Sequence, residues 1–267
     1  MIVNADDFGR SGSINRAVWE AHERGILTTA SLMVGGEAWC EAVEMAREFG
    51  GHLGVGLHLT LVCGRAVSVG GRGLVDGAGY FSESAAGAGW RYFWDGDLRE
   101  EVRREVVGQF ERFRSTGLAL DHVNGHLHFH LHPVVLRVLV ECSKEYGVRG
   151  VRLPRDPLGL SLGLARGRWG YRLGHAAVFW LLNRWAGGWF RRAGWVWTDA
   201  VYGLLQDSRV DERYVLGLLG RLGQGDYELY AHPSMGRFRH ELEALVSPRV
   251  REVVRERGVR LIRYVDL

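Results

Sequence analysis

Histidines concentrate in one short stretch of this sequence, where their side chains could bind a metal ion. Five of the eleven histidines lie within residues 121–133, and four of these alternate from His126 to His132. Alternate residues of an extended strand share one face, and four buried imidazoles without a cation would leave many ring nitrogens unpaired. Imidazole binds zinc, nickel and iron, so the stretch predicts a metal site. Because the chain must turn before Pro133, only the first one or two histidines are expected to take part.

A second group of polar side chains lies close to the amino terminus. The sequence Asn4-Ala5-Asp6-Asp7-Phe8-Gly9 places two adjacent carboxylates after a short strand-like segment and before an amphipathic, helix-like one. Sheets and barrels of α/β proteins carry their chemistry at the carboxyl ends of strands, where the turning backbone lets both side chains reach one pocket. Adjacent carboxylates repel, so a nearby cation usually keeps both ionised. The alternative is a turn with one surface and one capping aspartate.

A third candidate ligand, His58, ends another strand-like segment. Together with Asp7 and His126 it could form a set of two histidines and one carboxylate. Three protein ligands with an open coordination position are typical of catalytic rather than structural metal sites. The alternatives are a packed core histidine at position 58 and, at 121–133, a histidine-rich turn with one buried and several solvated rings.

Two more polar residues at strand ends have possible catalytic roles. His232, followed by Pro233, is placed to act as a general acid that protonates a leaving amine. Arg152 could pair with Asp6, keep it ionised and orient it. The alternative for His232 is a histidine packed at a turn. The alternative for Arg152 is a salt bridge at the rim of the fold, which would contribute little to stability.

Strand-like and helix-like segments alternate along the chain and would position these residues. The strand-like segments are residues 2–3, 27–34, 53–61, 118–126, 148–153, 228–232 and 260–265. About seven strands alternating with helices predict a parallel, barrel-like α/β fold. We expect one domain over residues 1–267 because neither a repeat nor a break in composition is visible.

Two segments stand apart from this alternation. Residues 64–89 are rich in glycine, so we expect a long loop there, typical of a lid or binding segment.

Residues 157–197 hold six of the ten tryptophans and six arginines but no acidic residue. Phe179, Leu182, Trp185 and Trp189 form an apolar helical stripe in it. Tryptophan and arginine are favoured at membrane surfaces, so the segment predicts contact with a membrane or a lipid tail. The alternative is an outer barrel helix whose tryptophans pack in the core.

Composition excludes several classes of protein. A net charge of +3 is too small to indicate nucleic-acid binding, and no known nucleic-acid-reading module is visible. The three cysteines, Cys40, Cys63 and Cys142, form no CxxC pair, which argues against disulfides and structural zinc. The longest apolar run, residues 176–182, is far shorter than the ~20 residues of a transmembrane helix. We expect a cytoplasmic protein without a signal peptide, with peripheral contact at the inner membrane surface as an option.

Four motifs together resemble the YdjC family of carbohydrate deacetylases. They are Asn-Ala-Asp-Asp-Phe-Gly at 4–9, Gly-Leu-His-Leu at 56–59, Gly-His-Leu-His-Phe-His at 125–130 and Ala-His-Pro at 231–233. Their order and spacing match over nearly the whole chain. Residues 121–126 and 151–155 are most similar to the hopanoid-biosynthesis-associated branch, HpnK. The resemblance implies an irregular (β/α) barrel similar to those of polysaccharide deacetylases and the removal of an N-acetyl group from an amino sugar.

The resemblance also implies roles for individual residues. It implies one divalent metal ion, zinc or magnesium, bound by Asp7, His58 and His126, with Asp6 as the catalytic base. Related polysaccharide deacetylases have a base-orienting arginine and a general acid, which would correspond to Arg152 and His232. One departure concerns residues 124–125, which are Asn-Gly where many relatives have Asp-Ser. This difference leaves the ligand His126 in place but changes the groups around it, so the identity of the metal stays open.

These features favour a metal-dependent N-deacetylase acting on an N-acetylglucosamine-type headgroup of a glycosylated hopanoid lipid. One alternative is a deacetylase of soluble chito-oligosaccharides. An alternative from another class is a metal-storage or membrane-binding protein without catalysis. The expected partner is therefore an N-acetylated amino sugar, free or linked to lipid, and self-association is left open. We expect the side chains that contact the substrate to be His128, His130, Trp185 and Trp189.

Overall fold

A six-stranded parallel sheet forms the centre of this computed structural model, which describes residues 1–68, 73–164, 167–206 and 208–267. The strands are β1 (Ile2–Phe8), β2 (Thr29–Leu32), β3 (Gly54–Leu59), β4 (Leu120–Gly125), β5 (Ala200–Tyr202) and β6 (Tyr227–Ala231). Their order in the sheet is β4-β3-β2-β1-β6-β5. The sheet curls into a half-barrel, so the α/β class predicted from the alternating segments is confirmed.

Helices connect these strands and cover the sheet. They are α1 (Gly12–Arg24), α2 (Trp39–Glu48), α3 (Ala85–Trp94), α4 (Leu98–Ser115), α5 (Pro133–Cys142), α6 (Leu158–Leu164), α7 (Trp169–Ala193), α8 (Glu212–Leu219), α9 (Arg239–Val246) and α10 (Pro248–Glu256). Every residue of β1, β2 and β3 is buried, as expected for a parallel sheet with both faces covered. Among the described helices, none has the length and apolar character needed to cross a membrane.

Two of the seven predicted strands are absent from this sheet. Residues 148–153, predicted as a strand, form only isolated bridges, from Val151 to Val123 and from Gly150 to Val196. Main-chain hydrogen bonds join Arg152 of this segment to Val123 in β4, and Arg155, two residues beyond the segment, to Val201 in β5. The segment therefore links the two edge strands without regular strand geometry. Residues 260–265 were also predicted wrongly, because they run as irregular chain into a 3₁₀ turn at Tyr264–Asp266.

The glycine-rich segment is held against α4 where the structure describes it. Backbone N–H groups of Val67 and Ser68 donate to the buried carboxylate of Glu105, at 2.9 and 2.8 Å, and Leu74 N–H donates to Glu101. Residues 69–72 of the predicted loop lie outside the described residues. The loop ends earlier than expected, because α3 begins at Ala85. Its function as a lid stays a prediction.

Candidate metal centre

An irregularity at the end of β1 brings two adjacent carboxylates to the same edge of the sheet. The pairing of β1 with β2 shifts register between Ala5 and Phe8, and Asp7 has a left-handed φ of 64°. Consecutive residues of a regular strand point to opposite faces, whereas this bulge turns the backbone between them. Asp6 and Asp7 are both buried, which excludes the surface aspartate of the alternative interpretation.

Asp7, His58 and His126 converge as the sequence predicted. Asp7 Oδ1 lies 3.3 Å from His58 Nε2 and 3.0 Å from His126 Nδ1. One ligand atom from each residue falls within 4.8 Å of the other two. Among the described residues, Asp7 Oδ1 and His58 Nε2 are buried atoms without a hydrogen-bond partner. Buried polar atoms normally have partners, so this donor set fits a divalent cation.

Arg10 fixes the other oxygen of Asp7. Its Nη1 donates to Asp7 Oδ2 at 2.9 Å, so Oδ1 is the oxygen that faces the two imidazoles. Burial opposes ionisation of Asp7, but His126 and His58 beside it hold its pKa well below the usual range. A carboxylate that stays ionised at this position is a suitable metal ligand.

The chain beyond Gly125 does not continue as the extended strand that alternate histidines suggested. Residues His126–Leu131 form a 3₁₀ turn in which Leu127 and His128 have left-handed φ values of 49° and 59°. The turn sends the later rings in different directions. His130 Nε2 lies 2.9 Å from the carbonyl oxygen of Arg152, and His132 Nε2 lies 3.0 Å from that of Gly89. Of the four alternating histidines, therefore, only His126 belongs to the ligand cluster.

Asn124 orients the ring of His58. Strands β3 and β4 pair these two residues directly, and His58 Nδ1 lies 2.7 Å from Asn124 Oδ1. Because the amide oxygen accepts a hydrogen bond, His58 carries its proton on Nδ1, which leaves Nε2 free to bind a cation.

Asp6 is surrounded by hydrogen-bond donors. Its Oδ1 accepts from Asn4 Nδ2 at 2.8 Å, Asn124 Nδ2 at 3.0 Å and Arg152 Nη2 at 3.0 Å, and its Oδ2 accepts from Arg152 Nη1 at 2.6 Å. Burial alone would favour the neutral acid, but the Arg152 guanidinium, with His58, holds the pKa of Asp6 well below its usual range. Asp6 is therefore ionised at neutral pH.

Arg152 lies between two buried carboxylates. Its side chain is fully buried, and its Nε and Nη2 also donate to Glu228 Oε1, at 3.0 and 2.7 Å. Tyr264 donates its hydroxyl proton to the other oxygen of Glu228. The predicted pairing with Asp6 is confirmed, and the alternative of a rim salt bridge is wrong.

Sequence reasoning missed the residues that support this network. They are Asn4, Ser31, His122, Glu228 and Tyr264. One feature of the sequence could have indicated them, because polar residues within otherwise apolar strands often belong to a buried network. Gly56 belongs to this support, because a Cβ there would lie 2.5 Å from the His122 ring. With glycine at this position, His122 reaches Ser31 Oγ at 2.9 Å.

The remaining predicted site residues lie at different distances from the centre. Ala5 pairs with Ala231, so half-buried His232 follows β6 beside Asp6, and its charge also lowers the pKa of Asp6.

His128 packs against the rings of Tyr230 and Phe179. Trp185 and Trp189 lie on α7 with ring centroids 6.2 Å apart, and Trp185 is 39% exposed. Substrate contact by His128, His130, Trp185 and Trp189 stays a prediction.

Fold and site together define a parallel α/β protein with a metal-type Asp-His-His cluster and an arginine-paired carboxylate at the strand ends. Residues 1–256 match the family described as YdjC-like protein, so the chain belongs to the YdjC-like family. The predicted resemblance to the YdjC family is thereby confirmed.

Similar proteins include two carbohydrate deacetylases and one solved structure. That of Brevibacillus brevis is 42% identical over 154 residues, or 58% of this chain and 59% of that relative. That of Geobacillus stearothermophilus is 31% identical over 279 residues, or 98% of this chain and 96% of that relative. A crystal structure from Enterococcus faecalis V583, provisionally described as a cellobiose-phosphate cleavage protein, is 25% identical. It has a TM-score of 0.72 and covers 99% of this chain and 97% of its own.

Proposed function

We propose that this protein is a metal-dependent hydrolase that removes the N-acetyl group from an N-acetylglucosamine-type sugar. The observation that carries the proposal is the position of Asp6, an ionised carboxylate whose Oδ1 lies 3.9 Å from Nδ1 of the ligand-type residue His58. A purely metal-holding protein needs no such second carboxylate. Family membership and the relatives named carbohydrate deacetylase support the substrate class.

Asp7, His58 and His126 are the residues that would hold the metal ion. A divalent cation there would supply a Lewis acid for the amide carbonyl and lower the pKa of water. The two imidazoles favour zinc over magnesium, which prefers oxygen ligands.

Asp6 serves as the proton acceptor in this mechanism. Its Oδ1 already accepts three hydrogen bonds, whereas Oδ2, among the described residues, accepts one, from Arg152 Nη1. Oδ2 therefore has the lone pair that takes a proton from the attacking water. Arg152 keeps Asp6 ionised before this step and fixes the direction of its carboxylate plane.

His232 supplies the proton that completes the reaction. As the carbon–oxygen bond to water forms and the carbon–nitrogen bond breaks, the departing sugar nitrogen needs a proton to leave as an amine. His232 follows β6 on the same edge of the sheet as Asp6. The products are acetate and the free amino sugar.

For the physiological substrate we propose the headgroup of a glycosylated hopanoid lipid. The support is the similarity of residues 121–126 and 151–155 to the hopanoid-biosynthesis-associated branch, HpnK, together with the tryptophan-rich segment. Soluble chito-oligosaccharides are the competing substrate.

Acetate release from an N-acetylglucosaminyl hopanoid and from chitobiose, with and without chelator, tests the proposal. We expect chelator-sensitive release from the lipid and little from chitobiose. Release from chitobiose alone would support the deacetylation reaction and exclude the lipid as its substrate. Bound metal with no release from either substrate would contradict the enzymatic function and favour a metal-binding protein.

A further inference from the structure

Helix α7 exposes an apolar face along most of its length. Six of its large apolar side chains are 39–63% exposed, namely Trp169, Leu173, Val178, Trp180, Leu181 and Trp185. Within residues 169–185, the other exposed positions hold glycine, alanine and the single charged residue Arg184. The opposite side of the helix is covered, with Phe190 fully buried. Contiguous exposed apolar surface of this kind usually marks an interaction site.

Within the segment of the chain that contains this face, all charged residues are basic. Residues 157–198 contain six of the 34 basic residues and none of the 31 acidic ones. This segment therefore carries a formal charge of +6, whereas the remainder of the chain carries −3. Arg184, Arg191 and Arg192 are exposed on α7, and Arg166 lies outside the described residues. Exposed tryptophans beside arginines match the interface of an anionic lipid bilayer, where indole rings lie at headgroup depth and each basic residue attracts the surface.

We propose that the exposed face of α7 docks this protein on the surface of an anionic membrane. A second copy of the chain is a weaker candidate, because a symmetric dimer would bring two surfaces of the same positive charge together. This interaction goes beyond the proposed deacetylase activity and does not depend on it.

The covered side of α7 connects this surface to the candidate metal centre. Phe179 packs against His128 with ring centroids 5.2 Å apart, and His128 belongs to the same 3₁₀ turn as His126. A cavity of about 1100 Å³ lies along the helix, with Leu153, next to Arg152, at its inner wall and Leu173 and Trp180 at its outer wall. Docking through α7 would therefore bring the centre close to lipid headgroups.

Flotation with vesicles of phosphatidylcholine, with and without phosphatidylglycerol, tests this inference in the absence of any sugar substrate. We expect binding to the anionic vesicles and binding weaker by about tenfold or more to the neutral ones. Trp180→Ser/Leu181→Ser should lose most of the binding. Arg184→Gln/Arg191→Gln/Arg192→Gln should weaken it by about fivefold per arginine, and added salt should have a similar effect.

Trp90→Ser provides the matched control, because Trp90 is 69% exposed on α3, where acidic residues lie nearby in the sequence. We expect this variant to bind like the wild type. Circular dichroism and thermal unfolding establish that each variant is folded. Equal binding by wild type and the α7 variants, or equal loss in Trp90→Ser, would overturn the proposal. The proposal would also be overturned if the wild type formed a dimer and did not bind vesicles, and if the α7 substitutions converted this dimer to a monomer. Because no turnover is measured, these outcomes are independent of whether the deacetylase function holds.

Discussion

Asn124 Oδ1 lies 2.7 Å from His58 Nδ1, while Nδ2 of the same amide lies 3.0 Å from Asp6 Oδ1. A carboxylate oxygen only accepts hydrogen bonds, so the amide nitrogen faces Asp6 and the amide oxygen faces His58. One neutral side chain therefore determines which nitrogen of His58 faces the candidate metal site and how the carboxylate of Asp6 is oriented.

Replacing Asn124 should separate these two effects. In Asn124→Ala, His58 loses the partner of Nδ1, and we expect metal affinity to fall by about 10–100-fold. Asn124→Asp keeps an acceptor for His58 but removes a donor from Asp6 and adds a carboxylate beside it. We therefore expect its turnover to fall more than its metal affinity. Calorimetric metal titration and acetate release measure the two quantities, and unchanged metal affinity in the alanine variant would contradict the orienting role.

Asp6 and His126 should respond differently to substitution. Asp6→Asn retains the size of the side chain and removes the proton acceptor, so we expect metal binding to persist and kcat to fall by about 10²–10⁴-fold. His126→Ala removes one of three ligands and should lose both metal binding and activity. Metal content and acetate release are measured on the same preparations. Full activity in either variant would refute the assignment of roles.

Arg152 should be among the most important residues for stability. Arg152→Met leaves the carboxylates of Asp6 and Glu228 buried without their cation, and we expect a loss of about 3–5 kcal/mol in the free energy of unfolding. Arg152→Met/Glu228→Gln should recover part of that loss. As a control, Arg239→Met removes an exposed partner of Glu243 and should change stability by less than about 1 kcal/mol. Urea unfolding compares the three variants, and a similar small effect at both arginines would contradict the prediction.

Asp156 should make stability depend on pH. Burial raises the pKa of this carboxyl to about 6, although Leu205 N–H and Ser161 Oγ–H donate to it. Since the folded state holds the proton more tightly, the stabilisation is full below the unfolded pKa near 4 and is lost as the pH rises through about 6.

The variant Asp156→Asn should remove this dependence. Relative to the variant, the wild type should lose about 2 kcal/mol between about pH 4 and pH 7, because the full pKa difference corresponds to roughly 3 kcal/mol and partial exposure reduces it. Urea unfolding at a series of pH values measures the difference between the two proteins. A difference that stays constant with pH would show that folding leaves the pKa of this carboxyl unchanged and would contradict the prediction.

The residues of the candidate centre could be predicted from the sequence because each follows a strand-like run. Carboxyl ends of parallel strands meet at one edge of the sheet, so Asp7, His58 and His126 were expected to meet there despite their separation in the chain. The pairing of Asp6 with Arg152 followed from the same argument. The pattern of consecutive residues was sufficient for the fold class and placed Asp6, Asp7, His58 and His126 at strand ends. Arg152 lies in residues 148–153, which were predicted as a strand but form only isolated bridges.

Only the tertiary structure decided where the other histidines go and what surrounds Asp6. A left-handed conformation is rare for leucine and uncommon even for histidine, so the residue types of Leu127 and His128 do not indicate the turn that separates the later histidines from His126. Strand pairing likewise determines the donors to Asp6, since Asn124 is 118 residues away from it in the chain. The exposed face of α7 has the same origin, because an apolar stripe specifies a helix but not which side of it the rest of the protein covers.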